Sequence, residues 1–164
     1  MKLLGIDSGT AFTGISIIEN NTVLQHWLYE SKPIKGLKKC DSDIIRMCTF
    51  TEFYADVLNN VDEDTTVIAE NFIAYNTMVS YDSLKTMQII GITLAMSHIK
   101  GLKYHLIPAS VVHKFAGGGS KSATVKKVNE IFTFDQPYKS KAKCQHVYDS
   151  ILISAAWQHY GDRL

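Results

Sequence analysis

Two apolar runs in this chain each close on a carboxylate: Leu-Leu-Gly-Ile-Asp at 3–7 and Thr-Val-Ile-Ala-Glu at 66–70. Runs of that length and composition suit buried strands, which deliver their terminal acid to a sheet edge. A third acidic patch, His-Val-Tyr-Asp at 146–149, has helical spacing instead. Its His146 and Asp149 stand at i and i+3, on one helix face. Carboxylates so far apart in sequence, each tied to rigid structure, are what a divalent-metal site assembled by folding requires. Metal-dependent phosphodiester hydrolysis is the simplest chemistry for them.

The intervening pattern sets the fold class. Residues 2–7, 12–19 and 22–29 read as three strands joined by a Ser-Gly-Thr turn and by Asn20-Asn21, an antiparallel meander. Residues 41–60 are helical in period, with Asp41 as N-cap and Ile44, Ile45, Cys48, Phe53 and Val57 facing inward. A short strand is expected at 66–69, a long helix over 80–100 ending at Gly101, and a strand at 104–107 stopped by Pro108. A short helix at 110–115, a glycine-rich turn at 117–119, and helices over 122–132 and 144–160 complete the chain. The class is α/β: a mixed five-stranded sheet with helices on both faces, in one domain over 1–164.

Composition narrows the setting. With 164 residues, 46% of them apolar, the chain has enough core to fold without staples. A net charge of +1 announces no polyanion, but residues 121–143 carry six lysines against Glu130 and Asp135, and 32–46 carry five basic residues against two acids. Three cysteines (40, 48 and 144) without paired spacing argue for a reduced, cytoplasmic setting and against a disulfide framework or zinc knuckle. Only four apolar residues separate Lys2 from Asp7, too few for a signal peptide, and no run reaches membrane-span length. The expectation is a soluble protein with no membrane partner.

In their order, these segments resemble the RuvC-type Holliday-junction resolvases of the ribonuclease H-like (retroviral-integrase) superfamily. Leu-Gly-Ile-Asp-Ser-Gly-Thr-Ala-Phe-Thr-Gly at 4–14 is similar to the family's opening Gly-Ile-Asp-Pro-Gly with its downstream Thr-Gly, and Ile-Ala-Glu at 68–70 to its second acid. Ile-Pro-Ala-Ser-Val-Val at 107–112 and Gly-Gly-Gly-Ser-Lys-Ser at 117–122 resemble its Pro-Ala segment and basic loop, and 146–155 its last, catalytic helix. The resemblance implies a ribonuclease H-like fold and paired cutting of four-way or related branched DNA by a homodimer, leaving 5′-phosphate and 3′-hydroxyl ends. It implies no small-molecule cofactor. The shortened basic loop suits a pared-down form of the family such as a phage carries, working in the host cytoplasm.

The hydrolysis itself needs a deprotonated water in line with the leaving oxygen and positive charge on the phosphoryl oxygens; two Mg²⁺ ions meet both needs, with Mn²⁺ as a substitute. The resemblance assigns Asp7 to both ions and Glu70 and Asp149 to one each. His146 stands where many members have a further aspartate; an imidazole there binds a metal or carries a proton to the leaving 3′ oxygen. For DNA contacts the candidates are Lys114, Lys121, Lys126 and Lys127, with Ser120 at a helix N-terminus. An aromatic after the second acid, Phe72 or Tyr75, would wedge into the junction or else pack in the core. The helix over 80–100 is apolar on two stripes, Leu84, Met87, Gly91, Leu94 and Ala95 on one, Ile89, Ile92, Met96 and Ile99 on the other. A helix apolar all round is buried twice, and the resemblance implies a two-fold dimer through Met87 and Leu94.

Other readings stay open. The same fold can act on forks, flaps or structured RNA, or serve as a non-catalytic DNA-binding scaffold. Asp-Ser-Gly-Thr after a strand also resembles the phosphate-binding opening of actin-like kinases and ATPases, which need two such domains where this chain has room for one. The Gly-Gly-Gly-Ser-Lys-Ser string fails as a P-loop, because no glycine precedes its lysine.

Overall fold

The computed structural model describes residues 1–71, 80–134, 138 and 140–163. Strands β1 (Lys2–Asp7), β2 (Phe12–Glu19) and β3 (Thr22–Glu30) form the meander, and β4 (Thr66–Asn71) and β5 (Lys103–Pro108) complete a five-stranded sheet in the order β3-β2-β1-β4-β5. β1 pairs antiparallel with β2 and parallel with β4, so the strand that ends in Asp7 is central. Helices α1 (Lys39–Asn59) and α2 (Tyr81–Ile99) cover one face; α3 (Ala109–Ala116), α4 (Lys121–Ile131) and α5 (Lys141–Tyr160) cover the other. The mixed α/β architecture read from the sequence is the one observed.

Strand alternation then decides where the acids point. Leu4 and Ile6 pack with Phe50, Tyr54 and Ile89 beneath α1 and α2, whereas Leu3 packs with Val147 and Ile151 of α5. With a period of two, Asp7 shares the face of Leu3 and Gly5 and so meets α5. In β4, Val67 and Ala69 belong to the α1–α2 side and Ile68 to the α5 side, which puts Glu70 beside Asp7 on the same face. α5 lies unusually close to the sheet there. A Cβ on Gly5 would stand 2.0 Å from the Ser150 carbonyl oxygen, and one on Gly14 would stand 2.0 Å from that of His146. These two glycines let the backbones approach.

α1 differs from its expected orientation. Ile44 and Ile45 are 62% and 42% exposed and Cys48 is exposed; the buried face is Ser42, Arg46, Phe50, Tyr54, Val57 and Leu58. The helix is turned so that a serine and an arginine face inward, because polar groups meet them there. Asp41 is not the N-cap either: that position is Lys38, without a side-chain bond, and Asp41 sits in the first turn, where the helix dipole favours an acid. α2 begins as expected, the Ser80 hydroxyl accepting the Ser83 N–H, and Gly101 ends it at φ +80°. Its stripes separate: Ile89 is buried, while Leu84, Met87 and Leu94 are about half exposed and Ile99 is 84% exposed. β4 runs to Asn71, beyond the expected 66–69, so Glu70 lies within the strand. Among the described residues no helix is long and apolar enough to cross a membrane.

Candidate active site

Four distant segments converge at the carboxyl end of β1. Asp7, Glu70 and Asp149 line one cleft of about 210 Å³, together with His113, Gly119, Lys121 and Thr124. His146, one helical turn from Asp149, holds the Asp7 carboxylate through Nδ1 at 2.6 Å. The Phe12 ring, first residue of β2, stacks on that imidazole at 5.4 Å between centroids. Asp149 accepts a hydrogen bond from Gln145 Nε2 at 2.8 Å, across the i,i+4 step of α5.

The cleft is short of positive charge. Burial, then the nearby carboxylates of Asp7 and Asp149, pushes Glu70 up to about 7. Burial and Asp7 push Asp149 to about 6, against hydrogen bonds from Gln145 and Thr124 that pull the other way. The Asp7 hydrogen bond raises His146 above its ordinary value despite burial. The Ser8 hydroxyl beside Asp7 is buried and without a partner among the described residues.

Hard carboxylate oxygens that repel one another fit a hard divalent cation. Among the described residues no group of three or more His, Cys, Asp or Glu side chains is arranged to hold a metal ion.

The expected DNA-binding residues divide. Lys121 lines the cleft and, with Ser122, Lys126, Asn129, Lys141, Gln145 and Tyr148, a neighbouring groove of about 760 Å³ between α4 and α5. Ser120 caps α4, its hydroxyl accepting the Ala123 N–H at 3.2 Å. Lys127 faces another way, over the Phe115 ring in a separate cavity with Phe132 and His159, and Lys114 stands 5.9 Å over the Tyr160 ring. Phe72 and Tyr75 lie outside the described residues. His113, Thr124, Lys141 and Gln145 are additions that sequence reading did not single out. The glycine run held the signal for His113, since its ring sits against Gly119, where a Cβ would come within 3.2 Å of Nδ1.

Sheet order, helices on both faces and acids at the end of the central strand are those of a ribonuclease H-like fold. Within it the fold is that of the RuvC-type resolvases. The chain superposes on Thermus thermophilus RuvC with a TM-score of 0.74 and 16% identity, over 99% of this chain and 96% of that one. For T. thermophilus RuvC in complex with Holliday junction substrate the values are 0.77, 15%, 99% and 96%. For the yeast mitochondrial Holliday junction resolvase Ydc2 they are 0.64, 12%, 98% and 78%. No protein-family model matches the sequence, and no curated protein does.

Proposed function

We propose that this protein is a divalent-metal-dependent endonuclease that cuts four-way and related branched DNA. The observation that carries the reading is the meeting of Asp7, Glu70 and Asp149 in one cleft of a RuvC-type fold, with His146 hydrogen-bonded to Asp7. Asp7, Glu70 and Asp149 would hold Mg²⁺ or Mn²⁺, which supplies an activated water and neutralises charge on the phosphoryl oxygens. Asp7 orients His146 through Nδ1, leaving Nε2 to hand a proton to the departing 3′ oxygen. Lys121, at the junction of cleft and groove, holds the scissile phosphate, and Lys126 and Lys141 hold the strand beyond it. Competition of labelled four-way junction, linear duplex and RNA hairpin for the protein tests the substrate class. Junction preferred over duplex supports it; equal competition by all three contradicts it.

The carboxylates give a pH signature. Acids whose folded values are raised stabilise the fold below their ordinary range of about 4 and lose that contribution as pH rises through the folded values of about 6 and 7. His146, also raised, loses its contribution in the same direction. The metal-free protein is therefore expected to lose roughly 3 kcal/mol, about 10 °C in Tm, between pH 5 and pH 8. Mg²⁺ restores more of it at pH 8 than at pH 5, because protons compete for the same oxygens. Calorimetry at both pH values, with and without Mg²⁺, reads this; a metal shift independent of pH would contradict it.

Two further expectations concern the macromolecular contacts. Lys126→Ala and Lys141→Ala should each lower the slope of log K against log salt by about 1, leaving the cutting rate on saturating junction unchanged. A homodimer through the half-exposed Leu84, Met87 and Leu94 of α2 would set two clefts against two strands of a junction. Leu94→Glu then yields a folded monomer of half the mass that no longer makes paired cuts; an unchanged dimer by light scattering refutes the interface.

A further inference from the structure

A buried ion cluster lies behind the turn that carries Asp7. Arg46 of α1 is only 7% exposed, yet its nearest acid, Asp43, is shared with a second buried cation, Lys85 of α2. Arg46 Nη1 lies 3.0 Å from Asp43 Oδ1, and Lys85 Nζ lies 3.0 Å from the same oxygen. The other oxygen of Asp43 accepts the Tyr81 hydroxyl at 2.6 Å. Lys39 and Lys85 stand over the Tyr81 ring at 3.9 and 4.5 Å. Lys85 has one further acid, the exposed Asp82 at 3.9 Å, so the two buried cations share a single buried carboxylate; that is an expensive arrangement in a protein interior, and apolar residues of like volume stabilise a core as well or better. The cluster calls for an explanation other than packing.

The remaining donors of Arg46 supply one. Nη2 donates to the Thr10 carbonyl at 2.6 Å and Nε to the Ser31 hydroxyl. Ser31 in turn donates its N–H to the Ala11 carbonyl at 2.8 Å. Thr10 and Ala11 belong to the four-residue turn between Asp7, which ends β1, and Phe12, which opens β2 and stacks on His146. The planar guanidinium fork thus joins α1, the end of β3 and the turn that sets Asp7 and Phe12, and a lysine cannot make three such bonds at fixed angles.

We propose that Arg46, held by Asp43 and Ser31, is a positioning residue that fixes the 8–11 turn and through it the Asp7–His146 pair. This inference rests on the nuclease reading of that pair. Arg46 does not line the cleft; it acts by holding the Thr10 carbonyl directly and the Ala11 carbonyl through Ser31. Misplacing a catalytic group by about 1 Å costs on the order of a hundredfold in rate.

The test compares Arg46→Lys with wild type in three measurements on the full chain. The variant keeps the buried charge and the Asp43 pairing but gives up the fork. Amide hydrogen exchange is expected to quicken at residues 9–12 and not in α5. The single-turnover rate on a four-way junction with Mg²⁺ should fall about tenfold to a hundredfold. The junction Kd should stay within about twofold of wild type, a split that a general loss of structure would not give. Unchanged exchange at residues 9–12 overturns the tether. Quickened exchange with an unchanged cutting rate overturns the positioning role. A parallel rise in Kd and loss of rate overturns it also, as plain destabilisation. Should Arg46→Lys fail to fold, Ser31→Ala removes the acceptor of Arg46 Nε while keeping the Ser31 N–H on the Ala11 carbonyl, with the same three readouts and the same signs at smaller amplitude. Because exchange is read without substrate, it reports the tether even in a protein that cuts nothing, so failure of the nuclease reading is told apart from failure of this one.

Discussion

Asp7→Asn should cut a four-way junction on the order of a thousandfold more slowly than wild type, about 4 kcal/mol of transition-state stabilisation. Its junction affinity should be unchanged. Asp7 stands at the end of the central strand, beside Glu70, and is the hydrogen-bond partner of His146. One substitution therefore removes the anionic ligand proposed for the metal and the hydrogen-bond partner of the imidazole. The amide is of the same size and lies in a cleft open to solvent, so the fold is kept. The phosphate contacts proposed for Lys121, Lys126 and Lys141 do not involve it, so binding is expected to survive. Gel-shift and single-turnover measurements on one labelled junction check both halves; residual cutting near the wild-type rate would remove Asp7 from the chemistry.

Gly14→Ala should cost about 3 kcal/mol, roughly 6–12 °C in Tm for a chain of this length. Gly14 pairs with Asp7 in the β1–β2 register, and its added Cβ would fall 2.0 Å from the His146 carbonyl oxygen and 2.3 Å from its carbonyl carbon. Both are backbone atoms of a buried helix, so no side chain can swing away. α5 must lift from the sheet, and His146 and Asp149 move with it. Loss of stability should therefore come with loss of cutting. Thermal unfolding alongside the cleavage assay reads both; a variant as stable as wild type would contradict the close approach.

These two positions also show what was legible in the sequence. The acids were legible because each closes a run whose periodicity names its element, and alternation of period two then puts Asp7 and Glu70 on one face. The ends of β1 and β2 could be read for the same reason. α1 was not legible. Its Ile44 and Ile45 look like a core face, and only tertiary partners, the Thr10 carbonyl and the Ser31 hydroxyl, make the arginine side the buried one. The lysines illustrate a related limit. Lys126 and Lys127 are neighbours in sequence, but helical rotation sends one to the α4–α5 groove and the other toward Phe115. Charge runs mark a basic region and leave open which of its members share a surface. His113 and Gln145 come into the site through the close fit of α3 and α5, which spacing along the chain does not encode.

The most direct measurement is mapping of the cut positions on a four-way junction labelled in turn on each strand, with Mg²⁺ and with EDTA. Two nicks at symmetric positions in opposing strands, with 5′-phosphate and 3′-hydroxyl ends and none in EDTA, are the result this account predicts. Tight binding of the junction with intact strands, in Mg²⁺ and in Mn²⁺ alike, would contradict it and leave a DNA-binding scaffold on a nuclease fold.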